Sequence, residues 1–315
     1  MVMENKVLGI HHITAIASDA QCNYDFYTQF LGVRMVKKTV NFDDPGTYHF
    51  YYGDTVGTPG SILTFFPWGD RVHKGRAGTG MATEIGYSVP KASLGFWEER
   101  LKEFNINHQA LSERFGEQFI QFQDRDGLIL NLIEPSVADE RKPWTTDDLK
   151  EDEATKGFHS VVLTVKESEG TVKILTDIFG YKLLKQEGNR YRFSTHAIST
   201  ANIVDVVEDP NGVHGITAGG TNHHVAFRVK DEDVQMNLRE KILSAGHNIT
   251  PKIDRNYFYS LYFREPGGVL FEIATDNPGF SIDEPVNELG THLKLPAQYE
   301  PSREKIEQRL PALKQ

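Results

Sequence analysis

The chain of 315 residues has very little cysteine, no long apolar run and no excess of basic residues. Its one cysteine, Cys22, excludes an internal disulfide and is typical of a reducing compartment, so we expect a cytoplasmic location. No segment approaches the ~20 apolar residues of a membrane-spanning helix. The net charge of −10 argues against nucleic acid and anionic membranes as partners, because both favour a basic surface.

The remaining composition is that of a globular protein, and the sequence contains an internal repeat. Hydrophobic residues make up 39% and charged residues 25% of the chain, which is enough apolar material for a sizeable core. A strand-like run, a helical pattern and several short strand-like runs follow one another four times. The four copies open at residues 9, 83, 158 and 219. The repeat therefore predicts an α+β protein built from four βαβββ modules.

The division of the chain follows from these four copies. Residues 8–134 hold two modules, and the polar, acidic segment 135–156 separates them from two more modules in residues 157–276. Residues 277–315 form a C-terminal tail, in which we predict a short helix. In the first module, a helix from about Ala20 to Leu31 is predicted, with Ser18 or Asp19 as its N-cap and Gly32 as its end.

Residues of the type that bind metals stand out in the first and fourth modules. Both modules open with a His-His pair, at His11-His12 and His223-His224, and a lone carboxylate, Glu272, interrupts an apolar run. A buried carboxylate is costly unless it is paired or binds a metal. Alignment of the four opening strands gives one column of residues, namely His12, Glu84, Ser160 and His224. Alignment of the last strands on their glycines gives a second column, namely Thr64, Asn131 and Glu272, with no residue assigned for the third module.

These columns predict how the modules pair. Only modules one and four have residues of the metal-binding type in these columns, so we expect these two modules to form one sheet around a metal. Modules two and three are expected to form a second sheet without a metal. Because strand neighbours point to opposite faces, only one histidine of each pair faces a shared site. We predict His12, His224 and Glu272 as ligands, with His11 and His223 beside them. The isolated histidines are predicted to be solvated, namely His49, His73, His108, His196, His214, His247 and His292. His159 is predicted to be a core or interface histidine.

Two imidazoles and one carboxylate suit a particular kind of chemistry. Such a set leaves about three coordination positions open, which is typical of mononuclear non-haem Fe(II). An aromatic diol and O₂ can then bind side by side. Imidazole also suits Zn, Ni and Cu, and Mn(II) is an alternative to Fe(II), so ligand type alone does not select the metal.

The sequence resembles the vicinal-oxygen-chelate superfamily, and within it the hydroquinone-type ring-cleaving dioxygenases. The resemblance covers nearly the whole chain. It is carried by G-I-H-H-I-T at 9–14, F-F-P-W and G-T-G within 65–80, T-N-H-H-V-A-F at 221–227, D-R-N-Y-F-Y-S-L-Y-F-R at 254–264 and F-E-I-A-T-D-N-P-G-F at 271–280. It implies βαβββ modules that pair into two open, mixed-sheet half-barrels around a divalent metal.

Further expectations for the site follow from this resemblance. It implies that His12, His224 and Glu272 bind Fe(II) and that a small aromatic molecule and O₂ are the substrates. It also implies catalytic or substrate-contacting roles for His11, Thr14, His223, Arg255 and Tyr262. Tyr257 and Tyr259 lie in the same segment as Arg255 and Tyr262, and they are expected to line the substrate pocket.

Three other functions remain open from the sequence. A glyoxalase-type isomerase or lyase has the same fold, but the resemblance implies a closed metal site with four protein ligands for that chemistry. Thr64 stands where the fourth ligand would be. An antibiotic-modifying transferase uses two His and one Glu in a smaller, two-module chain. A metal-free binding protein matches modules two and three only. The sequence also leaves open whether the protein is a homodimer, which ring substituents it accepts, and whether its role is catabolic or protective against quinones.

Overall fold

The computed structural model describes residues 6–315, and this part of the chain contains sixteen strands and five α-helices. The strands are β1 Gly9–Ala17, β2 Arg34–Val40, β3 Tyr48–Gly53, β4 Ile62–Pro67, β5 Met81–Ser88, β6 Ser112–Arg114, β7 Glu117–Gln123, β8 Ile129–Ile133, β9 Phe158–Val165, β10 Lys182–Glu187, β11 Arg190–Ser194, β12 Ile203–Glu208, β13 Thr221–Val229, β14 Ile253–Asp254, β15 Phe258–Arg264 and β16 Leu270–Pro278. The helices are α1 Ala20–Asp25, α2 Leu94–Glu103, α3 Glu169–Lys173, α4 Glu232–Ser244 and α5 Arg303–Arg309. Helices α1 and α3 continue as π-helical turns, Phe26–Phe30 and Ile174–Ile178.

Two eight-stranded mixed sheets form the body of the protein. The first has the order β14-β15-β16-β13-β1-β4-β3-β2, and the second has the order β10-β11-β12-β9-β5-β8-β7-β6. The first sheet therefore combines modules one and four, and the second combines modules two and three. Each sheet curls into a half-barrel, and its two modules meet through an antiparallel pair of opening strands, β1 with β13 or β5 with β9. The predicted α+β architecture and the predicted pairing of modules are confirmed.

The helix of the first module packs between the two sheets. Asp19 caps it by accepting a hydrogen bond from the backbone N–H of Cys22, as one of the two predicted caps. The ring of Tyr27 lies 4.6 Å from the ring of Phe65 in the first sheet. On the other side, the ring of Phe30 lies 5.7 Å from that of Phe122 in the second sheet. The aromatic side chains of this helix thus join both sheets into one core.

The C-terminal tail packs against the open end of the first sheet. The ring of Phe280 stacks at 5.0 Å on the ring of Tyr257. The ammonium group of Lys37, which is fully buried in β2, donates to Asp283 at 2.6 Å and also to Glu284. These tail carboxylates neutralise a cation that the sheet encloses. None of the helices in residues 6–315 is both long enough and apolar enough to span a membrane.

Candidate metal centre and its pocket

Three buried side chains from three neighbouring strands meet on the concave face of the first sheet. They are His12 on β1, His224 on β13 and Glu272 on β16, and their ligand atoms all lie within 4.8 Å of one another. Glu272 Oε2 lies 3.1 Å from His12 Nε2 and 2.9 Å from His224 Nε2, and the two Nε2 atoms are 3.4 Å apart. In residues 6–315 this is the one group of three or more His, Cys, Asp or Glu side chains with such spacing.

The donor set and its burial fit a metal ion. Glu272 is fully buried, and its Oε2 makes no hydrogen bond of acceptable geometry within the described chain, although two imidazole nitrogens face it. Burial raises the pKa of Glu272, but His12 and then His224 outweigh this effect and hold the pKa well below its usual value. The group is therefore an ionised carboxylate. An ionised carboxylate oxygen beside two imidazole nitrogens is a suitable site for a divalent cation.

Two bulges bring the second histidine of each pair beside the first. The register of β1 against β13 shifts between Ile10 and His12, so the strand is irregular at His11. The Nδ1 atoms of His11 and His12 are 2.9 Å apart, and those of His223 and His224 are 2.8 Å apart. Both pairs therefore have side chains in contact, which a regular strand would not permit.

The position of His11 fixes the tautomer of His12. His11 Nε2 lies 3.1 Å from the backbone oxygen of Thr275, which can only accept, so Nε2 carries the proton. Burial, followed by the nearby His12, lowers the pKa of His11 well below its usual value, so its ring is neutral and its Nδ1 accepts. His12 Nδ1 must then donate to it. In the neutral form of His12, Nε2 is then the nitrogen without a proton, and it is the atom that lies toward Glu272, as a metal ligand requires.

A cavity of about 370 Å³ opens beside these three side chains. Its wall contains His12, Thr14, Asn41, Phe42, Asp43, His49, Tyr51, Phe66, Trp68, His223, His224, Thr250, Arg255, Phe258, Tyr262 and Leu270. The rings of Phe66 and Trp68 stack at 6.0 Å. The cavity has the size of a small-molecule site, and its wall combines aromatic side chains with many polar ones.

Arg255 and Tyr262 stand together on the wall, close to the predicted ligands. Arg255 Nε lies 3.4 Å from the Tyr262 hydroxyl, and the ring of Tyr262 lies 5.6 Å from that of His224. Burial, followed by the charge of Glu272, raises the pKa of Tyr262 above its usual value. Tyr262 is therefore protonated and able to donate. Thr14 and His223 also line the cavity, whereas His11 lies behind His12.

The structure does not bring Tyr257 or Tyr259 to the cavity. Tyr257 is buried behind the wall, and its hydroxyl donates to Asp283 of the tail at 3.0 Å. The ring of Tyr259 lies under the ammonium group of Lys252. Phe258 faces the cavity instead, because it shares a strand face with Ser260 and Tyr262. This placement corrects the expectation that both tyrosines would line the pocket.

His49 is a pocket residue, and the prediction that it would be solvated is wrong. It lies in β3 between the rings of Tyr51 and Phe66, at 4.1 Å and 4.3 Å. Burial lowers its pKa well below the usual value, and the next largest contribution, from His12, acts in the same direction. The alternation of His49 and Tyr51 in a strand-like run places both on one face, which is the signal that could have identified them.

The second sheet has different residues at the positions that correspond to the three ligands. Strand register places Asp205 of module three, which alignment of the sequence had left unassigned, where Glu272 stands in module four. Glu84 corresponds to the histidines. Arg190 lies between these two carboxylates, with nitrogen–oxygen distances of 2.9 Å to Glu84 and 3.5 Å to Asp205. A guanidinium group therefore neutralises the carboxylates of this sheet.

A second ionic group in this sheet includes the predicted core histidine. Glu117 contacts Arg192 and lies 3.3 Å from His159 Nε2, and all three side chains are buried. Burial raises the pKa of Glu117, but the hydrogen bond and charge of His159, with help from Arg192, bring it well below the usual value. This network fills the interior of the second half-barrel with paired charges.

Comparison with known proteins identifies relatives along the whole chain. A family model described as "Glyoxalase/Bleomycin resistance protein/Dioxygenase superfamily" matches residues 9–132 and 157–273. The chain is 45% identical over 308 residues to "Putative ring-cleaving dioxygenase MhqO" of Bacillus subtilis, covering 98% of this chain and 97% of that one. It is 32% identical to "Chlorohydroquinone/hydroquinone 1,2-dioxygenase" of Sphingobium indicum, covering 97% of each. A crystal structure of a "putative dioxygenase" from Bacillus subtilis is 44% identical, covers 98% of both chains and superimposes with a TM-score of 0.94.

Proposed function

The chain belongs to the Glyoxalase/Bleomycin resistance protein/Dioxygenase superfamily, and from this membership and its buried site we propose that it is a ring-cleaving dioxygenase. Its substrate is a hydroquinone or a similar dihydroxylated single ring, which it opens with O₂ beside a hydroxylated carbon. The single observation that carries the proposal is the ionised Glu272 whose buried oxygen faces two imidazole nitrogens beside a cavity large enough for an aromatic substrate.

His12, His224 and Glu272 would hold Fe(II), with Mn(II) as the second candidate. Bound there, the metal would supply open coordination positions and a route for electron density between an aromatic ring and O₂. His11 would hold the proton of a neutral His12 on Nδ1, which leaves Nε2 to bind the metal. His223 contacts His224 in the same way and reaches the cavity as well.

The other polar residues of the wall act on the substrate itself. Arg255 is always charged, so it stabilises a deprotonated ring oxygen. Tyr262 accepts a hydrogen bond from Arg255 and remains protonated. Its hydroxyl therefore donates a hydrogen bond to O₂ or to a ring oxygen of the substrate. Phe66, Trp68 and Phe258 hold the flat ring between them and exclude water from it.

The pocket argues against the isomerase alternative. A closed four-ligand site needs another charged or amide ligand from the first module, and the corresponding position is occupied by Thr64. Its hydroxyl already contacts both Thr14 and His49 at 2.9 Å. A hydroxyl with two protein partners is a poor metal ligand, so the three-ligand site with open positions is favoured.

Oxygen uptake tests the proposal directly. The protein is purified without oxygen, loaded with Fe(II), and given hydroquinones and catechols in an oxygen electrode, with metal analysis alongside. We expect oxygen consumption with a ring-opened product, and loss of both in His224→Ala. Stoichiometric metal without oxygen uptake would favour isomerase or transferase chemistry, and protein that binds no metal would contradict the site.

A further inference from the structure

Four polar side chains form an unbroken hydrogen-bonded chain across the floor of the cavity. The Tyr51 hydroxyl lies 2.9 Å from His49 Nδ1, His49 Nε2 lies 2.9 Å from Thr64 Oγ1, and Thr64 Oγ1 lies 2.9 Å from Thr14 Oγ1. The chain crosses three adjacent strands, since Thr14 stands opposite Thr64 and Thr64 stands opposite Tyr51. Two strand spacings separate the backbones of Thr14 and Tyr51 by about 10 Å. Thr14 and Tyr51, the two ends, both line the cavity.

The partners of His49 determine how protons are arranged in this chain. Both ring nitrogens face hydroxyl groups, and the rings of Tyr51 and Phe66 cover the faces of the imidazole. No carboxylate contacts it among the described residues, and burial disfavours its charged form. A neutral imidazole has one nitrogen that donates and one that accepts. The hydroxyls of Tyr51 and Thr64 must therefore have opposite roles.

Only two proton arrangements satisfy all these contacts and also use the proton of Thr64, whose side chain is fully buried. In the first, Tyr51 donates to His49, His49 donates to Thr64, and Thr64 donates to Thr14. The proton of Thr14 is then free for the cavity, and Tyr51 can only accept from it. In the second arrangement every donor is reversed, so Tyr51 donates into the cavity and Thr14 can only accept. The two ends of the chain always present opposite hydrogen-bonding character to a ligand.

The equivalent strands of the fourth module indicate that Tyr51 is placed to meet a ligand. Tyr51 stands opposite Thr64 in β3, just as Tyr262 stands opposite Glu272 in β15. Tyr51 and Tyr262 are thus corresponding residues of the two modules that form the cavity. Their polar partners differ: Tyr262 is next to the fixed donor Arg255, whereas Tyr51 is next to His49, which can either donate or accept.

We propose that His49 is a specificity-determining residue: by coupling Tyr51 to Thr14, it selects an aromatic diol that carries one deprotonated and one protonated oxygen. The deprotonated oxygen accepts from Thr14, near the metal ligands, and the remaining hydroxyl donates to Tyr51. A monohydroxylated ring satisfies only one end. This inference rests on the proposed function, because it assumes that a phenol occupies the cavity.

The test compares two phenols of similar size and acidity, hydroquinone and 4-fluorophenol, of which only the first keeps a hydroxyl for Tyr51 when its other oxygen is deprotonated. Dissociation constants are measured by titration calorimetry of the metal-loaded protein without oxygen. We expect the wild-type protein to bind hydroquinone about tenfold more tightly, as one hydrogen bond in a buried site predicts. In His49→Phe the hydroxyls of Tyr51 and Thr14 are no longer coupled. The fluorine of 4-fluorophenol still forms no hydrogen bond with Tyr51, but Tyr51 can direct its own proton to another acceptor. The preference for hydroquinone over 4-fluorophenol should therefore fall to about threefold or less.

Thr64→Val provides a second interruption of the same chain. It nearly preserves the shape of the side chain and leaves His49 in place, so it should lower the preference as His49→Phe does. Metal content and thermal unfolding are measured for each variant to establish that the site is intact. Intact variants that keep the tenfold preference, or a wild-type protein that has none, would overturn the inference. Failure of the proposed function is a separate result, since absent oxygen uptake leaves these binding ratios measurable.

Discussion

Replacing Glu272 by glutamine removes the negative charge from the proposed metal site with almost no change in shape. The glutamine oxygen can still accept the hydrogen bond that Ser260 donates to Oε1. The amide nitrogen takes the place of the oxygen that faces His12 and His224, and it cannot bind a metal through its N–H groups. We expect a folded protein that has lost most of its metal affinity.

The size of the loss follows from the role of this carboxylate. Substitutions of groups that only support a ligand lower metal affinity by about 10- to 100-fold, so loss of the ligand itself should exceed about 100-fold. At a free metal concentration of about 100 times the wild-type Kd, the wild-type protein gains about 2.7 kcal/mol of stability, whereas a 100-fold weaker variant gains about 0.4 kcal/mol. The difference of about 2.3 kcal/mol is readily measured by urea unfolding with and without Fe(II) under anaerobic conditions.

Asn131→Ala is the matched control in the second sheet. Asn131 is the residue of module two that corresponds to Glu272 of module four, but it donates to Glu84 at 2.9 Å instead of facing histidines. The control should lower stability through the loss of this bond and leave the gain from Fe(II) unchanged. A Glu272→Gln protein that gains as much stability from Fe(II) as the wild type would refute the ligand assignment, and loss of metal in the control would refute the choice of sheet.

Three further predictions concern stability. Lys37→Met leaves Glu284 buried without its cation and should lower the free energy of unfolding by about 3–5 kcal/mol in urea; an unchanged value would contradict the buried pair. Because the pKa of Glu117 is depressed in the folded state, its contribution is present above the unfolded pKa of about 4.5 and is lost as pH falls below it. The wild type should therefore lose more stability than Glu117→Gln between pH 7 and pH 4, and parallel losses would contradict this. Gly220→Ala should destabilise more than Gly188→Ala, since both have positive φ but only the first would place a Cβ 2.1 Å from a backbone oxygen; equal effects in thermal unfolding would contradict the clash.

The pairing of modules and the three ligand candidates could be predicted because chemistry and repetition agree in the sequence. His12 and His224 open corresponding strands, and Glu272 interrupts an apolar run where burial without a partner would be costly. Sequence separation did not hide these relations, because each residue belongs to a recognisable copy of the same unit. The structure brings the three side chains together as this reasoning requires.

Other features depended on registers and packing that the sequence does not display. Asp205 was not assigned because β12 lacks the neighbouring glycines on which the other last strands were aligned. The contact of His11 with His12 needs a bulge, which shifts the face of a strand by one residue. His49 was predicted to be solvated because its run alone does not indicate that other strands and the loop around Phe42 enclose that face.

The pairing of the first module with the fourth has a consequence for protein synthesis. His12 and His224 are 212 residues apart, so at about 5–20 residues per second the ribosome needs roughly 10–40 s between them. The second sheet lies entirely between these residues and can form during that interval, while β1 waits for its neighbour. Since Glu272 emerges later still, a chain that stops before it lacks one of the three proposed ligands. The proposed metal site is therefore complete only in chains that extend past Glu272.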